Sequence, residues 1–175
     1  ATVILISLDG TRPADLAAGL LPSLNRLAER GATAEGLQPV NPSNTFPSHV
    51  SLATGVFPAE HRLVNNSFID PDRGRFNRKG AHLWIEAPTI WSIAEAAGIP
   101  TASYHWVGSE GPTSVGAAPR HFEKFSSKTR EKKKVDQILA WLDLKDPKER
   151  PRLITSWFHG ADHAAHVGGP GDEAV

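Results

Sequence analysis

Short unbroken apolar runs alternate along this chain with stretches whose apolar residues recur every three or four positions. Val3-Ile-Leu-Ile-Ser-Leu8 and Leu153-Ile-Thr-Ser-Trp-Phe158 are runs of the first kind, too short for helices, and each reads as a buried strand of a parallel sheet. Between them, Val135, Ile138, Leu139 and Leu142 fall on one stripe of a helix. Read with its glycine stops and proline starts, the pattern predicts strand 2–8 and a helix from Pro22 to Arg30 halted by Gly31. Strand 32–38 follows, then a helix opening at Thr45 and ending before Gly55. Next comes a turn-rich excursion from Pro58 to Glu86, with a hairpin signalled by Asp70-Pro-Asp-Arg-Gly74. Helix 88–97 stops at Gly98, strand 100–106 precedes a loop to Pro119, and helix 129–142 leads to strand 152–158. Helices alternating with apolar strands imply an α/β fold with a mostly parallel sheet and helices on both faces. No internal repeat or linker divides the chain.

Composition adds bounds. With 175 residues and 39% hydrophobic content, the chain can bury a substantial core. Nineteen basic residues balance nineteen acidic ones, which argues against a general nucleic-acid-backbone binder. The local run Lys128-Thr-Arg-Glu-Lys-Lys-Lys134 reads as the solvated start of the amphipathic helix that follows. Cysteine is absent, so no thiolate holds a metal here, and no apolar stretch approaches the roughly 18 residues needed to span a membrane.

Three strand ends carry candidate chemistry. The run Asn41-Pro-Ser-Asn-Thr45-Phe-Pro-Ser-His49 sets Thr45 at a helix start, where unpaired N–H groups and the macrodipole favour an arriving anion. Thr45 there is either a nucleophile or a simple N-cap. Asp9-Gly10 closes the first strand at the edge where open α/β sheets bind ligands, although a turn aspartate would read the same way. After the last strand, Asp162 and His166 are four apart, so one helical turn brings carboxylate and imidazole to the same side as a two-ligand half-site. Asp, Thr, Asp and His form an oxygen and nitrogen donor set that suits zinc, with other divalent metals as alternatives.

The ordered set LDG at Asp9, PSNTFPSH around Thr45, VNNSFIDP at Val64 to Pro71 and DHAAHVGGP at Asp162 to Pro170 resembles the type I phosphodiesterase/nucleotide pyrophosphatase family of the alkaline phosphatase superfamily. LLPSLNRLAERGA is similar to that family's first long helix, and TASYHWVGSEGP to its strand and loop with a W-x-G-S-E pattern. The resemblance covers essentially the whole chain.

It implies a hydrolase acting on phosphodiester or pyrophosphate bonds of small, nucleotide-like substrates through a covalent phosphothreonine on Thr45. Two zinc ions are implied, Asp9 and Thr45 serving one and Asp162 and His166 the other. Asn66 matches the family's asparagine that points its amide at a phosphate oxygen, and its neighbour Asn65 is set aside on motif alignment. Phe46 and Trp157 are the aromatics implied for substrate stacking, with core packing the alternative for both. Trp157 stands where the family often has tyrosine, and Gly160-Ala161 where it often has Glu-Pro. His49, one turn beyond Thr45, is an unneeded general base if a metal lowers the hydroxyl's pKa. The family completes its site with an Asp-His pair and a histidine farther along. Residues 1–175 are therefore expected to be the N-terminal part of a single alkaline-phosphatase-like domain, its C-terminal part missing, and inactive alone. Gly169–Val175 reads as the opening of another helix. Exported relatives tilt the expected location toward periplasm or secretion. A phosphonate or monoester hydrolase of the same superfamily, and a non-catalytic binding domain, are the alternative functions.

Overall fold

A computed structural model describes residues 1–17, 19 and 21–169; the helix expected to open within 169–175 lies largely outside them. The chain divides into two compact units, residues 1–7 with 40–158 and residues 8–39 with 159–175.

The first unit is built on a four-stranded sheet. Its strands are β1 (Val3–Leu8, whose last residue passes into the second unit), β4 (Thr101–Tyr104), β5 (His121–Glu123) and β6 (Leu153–Phe158), in the order β1-β6-β4-β5. Strand β4 runs parallel to both neighbours, pairing Ala102 with Ile154 on one side and with His121 on the other. Alternation along the strands sends side chains to two separate cores. Ala102, Tyr104 and Ile154 pack with Ile138 and Trp141 of α6 (Glu131–Leu142). Trp157 and Leu5 project into the other core, with Val50 and Ala53 of α3 (Thr45–Thr54) and Trp91 of α5 (Ile90–Ala96). Helices therefore cover both faces, as the alternating pattern requires.

Helix ends follow local chemistry. Thr89 and Ser92 form a reciprocal capping box at the start of α5, and Gly55 closes α3 at φ +74°, a conformation open to residues lacking a Cβ. The expected hairpin is β2 (Phe68–Asp70) and β3 (Gly74–Phe76), with Phe68 opposite Phe76. Asp70 Oδ1 accepts the Asp72 and Arg73 N–H groups at 2.9 Å each and folds the turn. Helix α4 (Pro58–His61) and a 3₁₀ turn over Ala81–Trp84 complete this unit.

The second unit contains α1 (Pro13–Ala17), α2 (Pro22–Ala28) and α7 (Gly160–Gly168).

Four expectations are corrected. Residues 32–38 form no strand and are exposed; Ala, Glu and Gly are weak strand formers, and no ladder partner lies beside them among the described residues. Among the described residues strand β1 has β6 as its one neighbour, with Val3 at 64% and Ile6 at 52% exposure, where a buried strand was expected. The strand predicted over 100–106 stops at Tyr104, because His105 takes the left-handed φ of +65°. Lys134 belongs to the core and not to a solvated basic face. Its ammonium is fully buried, donates to the Trp157 carbonyl at 2.9 Å and pairs with Glu131 at 2.7 Å. Burial lowers its pKa, against the opposing pull of Glu131.

Candidate active site

Thr45 is the first residue of α3, half-buried, with Asn44 as N-cap in an extended conformation. Asparagine is among the best capping residues, yet this one makes no cap bond with its side chain. Its Nδ2 amide donates instead to Asn65 Oδ1 at 2.7 Å. The cap comes from elsewhere in the chain: the Phe46 N–H donates to Asn66 Oδ1 at 2.9 Å. Pro47 has no N–H to offer, and the Ser48 N–H already bonds the Asn44 carbonyl at 3.1 Å. The helix start is thus largely committed to protein acceptors, which narrows the backbone donors left for an anion relative to an uncapped helix.

A neutral amide has one acceptor end and one donor end. With Asn66 Oδ1 held by Phe46, the Asn66 Nδ2 group is turned away from the helix backbone as a donor. Asn65 Oδ1 also accepts the Asn66 N–H at 2.7 Å, so the adjacent asparagines hold one another and the start of α3 together.

His49 is buried at the next turn. Its Nδ1 lies 2.7 Å from the Thr45 carbonyl oxygen, which can only accept, so Nδ1 carries the proton. Nε2 then accepts from Ser7 Oγ at 2.8 Å. The ring packs edge-on to Trp106, whose indole N–H donates to the His49 carbonyl at 3.0 Å. Through these bonds His49 ties the helix to the core.

Of the two expected stacking aromatics, Phe46 is half-buried and makes an edge contact with Phe76 at 5.8 Å. Trp157 is core. It is 7% exposed, with His49 at 5.4 Å and Phe125 stacked on it at 5.0 Å and 24°. Phe125 itself is half exposed and also meets the His105 ring edge-on at 5.2 Å. Periodicity gave no signal for it, since it lies in an irregular loop after β5.

In the second unit, Asp162 and His166 lie on α7, so their i, i+4 spacing does put them on one side of a helix. Asp162 Oδ1 and His166 Nε2 stand 3.5 Å apart, while His163 points outward. Two donors on one tetrahedral zinc, each about 2.0–2.1 Å from it, are separated by roughly 3.3 Å, so this pair is already spaced for a shared ion. Asp9 is brought to the same place by backbone: the Asp162 N–H donates to the Asp9 carbonyl at 3.1 Å. Gly10 permits the approach. Its φ is +74°, and a Cβ there would meet the Asp162 Cα at 2.6 Å, closer than non-bonded atoms approach. No three potential metal-ligating side chains converge among the described residues.

Residues 3–175 match the family model for type I phosphodiesterase/nucleotide pyrophosphatase. The chain is 38% identical to an uncharacterized pyrophosphatase/phosphodiesterase of Schizosaccharomyces pombe, covering 97% of this chain and 36% of that protein. It is 32% identical to ectonucleotide pyrophosphatase/phosphodiesterase family member 3 of Rattus norvegicus, covering 96% of this chain and 20% of that one. The chain therefore spans about a third or less of the curated relatives it matches. Its fold superposes on human ectonucleotide pyrophosphatase/phosphodiesterase 5 with a TM-score of 0.89 at 26% identity, over 99% of this chain and 47% of the human one. A murine counterpart gives 0.87 at 23% identity, over 98% and 47%. Motif order, the alkaline-phosphatase-like fold and the matching family model agree, and the chain belongs to the type I phosphodiesterase/nucleotide pyrophosphatase family.

Proposed function

We propose that these residues hydrolyse phosphodiester or pyrophosphate bonds of nucleotide-like substrates, with Thr45 as nucleophile and Asn66 as a donor to the phosphoryl group. The observation carrying this reading is the orientation of Asn66. Its oxygen is held by the backbone of the residue after Thr45, which leaves its amide N–H groups as the polar end available to a ligand. Such a donor, fixed before the reaction, is the arrangement that stabilises charge growing on a phosphoryl oxygen.

Thr45 Oγ1 forms a bond to phosphorus as the bond to the leaving oxygen breaks, its own proton being lost to solvent. Water then attacks the phosphothreonine, restoring the hydroxyl and releasing the second product. Asp162 and His166 are the residues that would hold one zinc, and their 3.5 Å separation fits it. Asp9 and Thr45 match the family's ligands for a second by sequence pattern. When bound, such ions lower the pKa of a coordinated hydroxyl or water and offset phosphoryl charge. The half-exposed Phe125 ring and Phe46 are the surfaces on which a flat leaving group would stack. AMP, which the structure of an inactive threonine-to-alanine variant of the murine counterpart contains, is a suitable product probe.

An amide donor suits a diester, because a monoester carries additional charge and calls for cationic groups. The test is turnover of bis-nitrophenyl phosphate against nitrophenyl phosphate by the longest natural chain that contains these residues. Faster diester cleavage, abolished in Thr45→Ala, is expected. Preference for the monoester would replace this reading by a monoester hydrolase, and activity surviving in Thr45→Ala would remove the nucleophile.

A further inference from the structure

We infer that Asn65 is a positioning residue for the reaction, acting through Asn66 and through the residue that precedes the nucleophile. The inference rests on the phosphodiesterase reading above and deepens it.

Asn65 Oδ1 accepts two hydrogen bonds, each 2.7 Å long, from the Asn66 backbone N–H and from Asn44 Nδ2. An amide oxygen has two lone pairs, so this acceptor is fully used. The donors lie twenty-two residues apart in the chain, and Asn66 in turn accepts from the Phe46 N–H. Thr45 is consequently bracketed. The residue before it is held by Asn65, and the residue after it by Asn66. Asn44 gives up its own capping bond to take part, although asparagine at an N-cap ordinarily makes that bond.

All four residues sit in the first unit, and Asn44, Asn65 and Asn66 are half-buried, where a bond lost to water is not fully replaced. Removing the Asn65 oxygen frees the Asn66 backbone and the Asn44 side chain at once. Asn66 Oδ1 keeps its bond to Phe46, but the peptide carrying it loses the anchor that fixes the amide's direction. A donor aimed about an ångström away forfeits much of its effect on the transition state and little of its effect on ground-state binding.

The experiment measures kcat and KM for a nitrophenyl phosphodiester in the longest natural chain containing these residues. Asn65→Ala is compared with Asn65→Asp, and both are repeated in an Asn66→Ala background. Asn65→Ala is expected to lower kcat about tenfold with KM changed less than about twofold. Asn65→Asp keeps an acceptor oxygen and is expected to restore most of the loss. In the Asn66→Ala background, Asn65→Ala is expected to cost less than about twofold, because residues acting through one another are non-additive. Asn44→Ala removes only one of the two bonds. It is expected to cost about threefold, and supplies the same comparison should Asn65→Ala fold poorly.

Loss in Asn65→Ala that is equally large in the Asn66→Ala background would overturn the inference, and so would unchanged kcat in Asn65→Ala beside a strong loss in Asn66→Ala. Both outcomes leave Thr45 and Asn66 in their roles. Preference for the monoester overturns the phosphodiesterase reading itself, full activity in Thr45→Ala removes the nucleophile that Asn65 is inferred to bracket, and in either case the inference falls with it.

Discussion

The start of α3 and the length of α7 carry the two halves of the candidate chemistry and are built in opposite ways. Helix α3 buries Pro47, His49, Val50 and Ala53, and its first turn is tied down by Asn66, by Asn65 through Asn44 and by His49. Helix α7 has no fully buried residue; Asp162 is half-buried and the His166 side chain is 78% exposed. In the proposed reaction Thr45 must be aimed before substrate arrives, which the packing and hydrogen bonds of this turn would provide. A ligand pair can be completed by the ion it binds, since metal binding itself contributes ordering free energy. What α7 takes from its surroundings is mainly backbone placement, through the bond between Asp162 and Asp9 and the close approach at Gly10.

Substitutions can break this contrast. The largest expected effect is at Thr45. Thr45→Ala should lower phosphodiester turnover by at least about a thousandfold while the melting temperature stays near that of the parent, since the helix start keeps its Asn66 cap. Asp162→Asn should remove about one zinc per chain by elemental analysis and reduce turnover by more than about a hundredfold, leaving the α3 unit folded by near-ultraviolet circular dichroism. A protein that keeps its full zinc complement after this change would show that α7 is not a metal helix.

Gly10→Ala tests the backbone contribution. Its Cβ collides with the Asp162 main chain, so zinc affinity should fall about 10–100-fold with both ligand side chains still present. Unchanged affinity would mean that the Asp9 turn does not position α7.

Smaller effects bear on the α3 scaffold. His61 is fully buried, accepts the Leu63 N–H at Nδ1 and so donates from Nε2 to Ser51 Oγ at 2.9 Å. Burial holds its pKa down at about 4, below the ordinary 6.5. Between those values the unfolded chain takes up a proton that the folded chain refuses. Stability therefore falls as pH drops from about 6.5 towards 4, by up to roughly 3 kcal/mol for this residue. Denaturant melts of His61→Gln should lose that slope, whatever its stability at neutral pH, and an unaltered slope would assign acid sensitivity elsewhere. Smallest is Asp70→Ala, which removes two turn bonds of an exposed hairpin and should cost about 1 kcal/mol without altering kcat.

The site was legible in the sequence wherever its signal was local. Thr45 at a helix start, the i, i+4 pair on α7 and the turn after Asp70 each depend on residues within one turn of one another, and each stands where the pattern put it. Asn65, set aside on motif alignment, and Phe125, which carried no signal, are placed by contacts that are not local. Nothing near Asn65 in the chain announces that its oxygen meets a side chain twenty-one residues earlier. Lys134 misled in the same way, because a basic run looks solvated until one knows that the carbonyl of Trp157 lies beneath it.

Sequence alone therefore determined the α/β alternation, the family and the residue types at each strand end, since hydrophobic period, capping and turn chemistry act over a few bonds. Tertiary structure alone decided that Trp157 is buried beneath the half-exposed Phe125, that His49 Nδ1 bonds the Thr45 carbonyl, and that the Asn66 oxygen is the end held by the helix backbone. Each depends on which distant group occupies a given lone pair or ring face. Only the folded chain, by bringing those groups within about 3 Å, makes that choice.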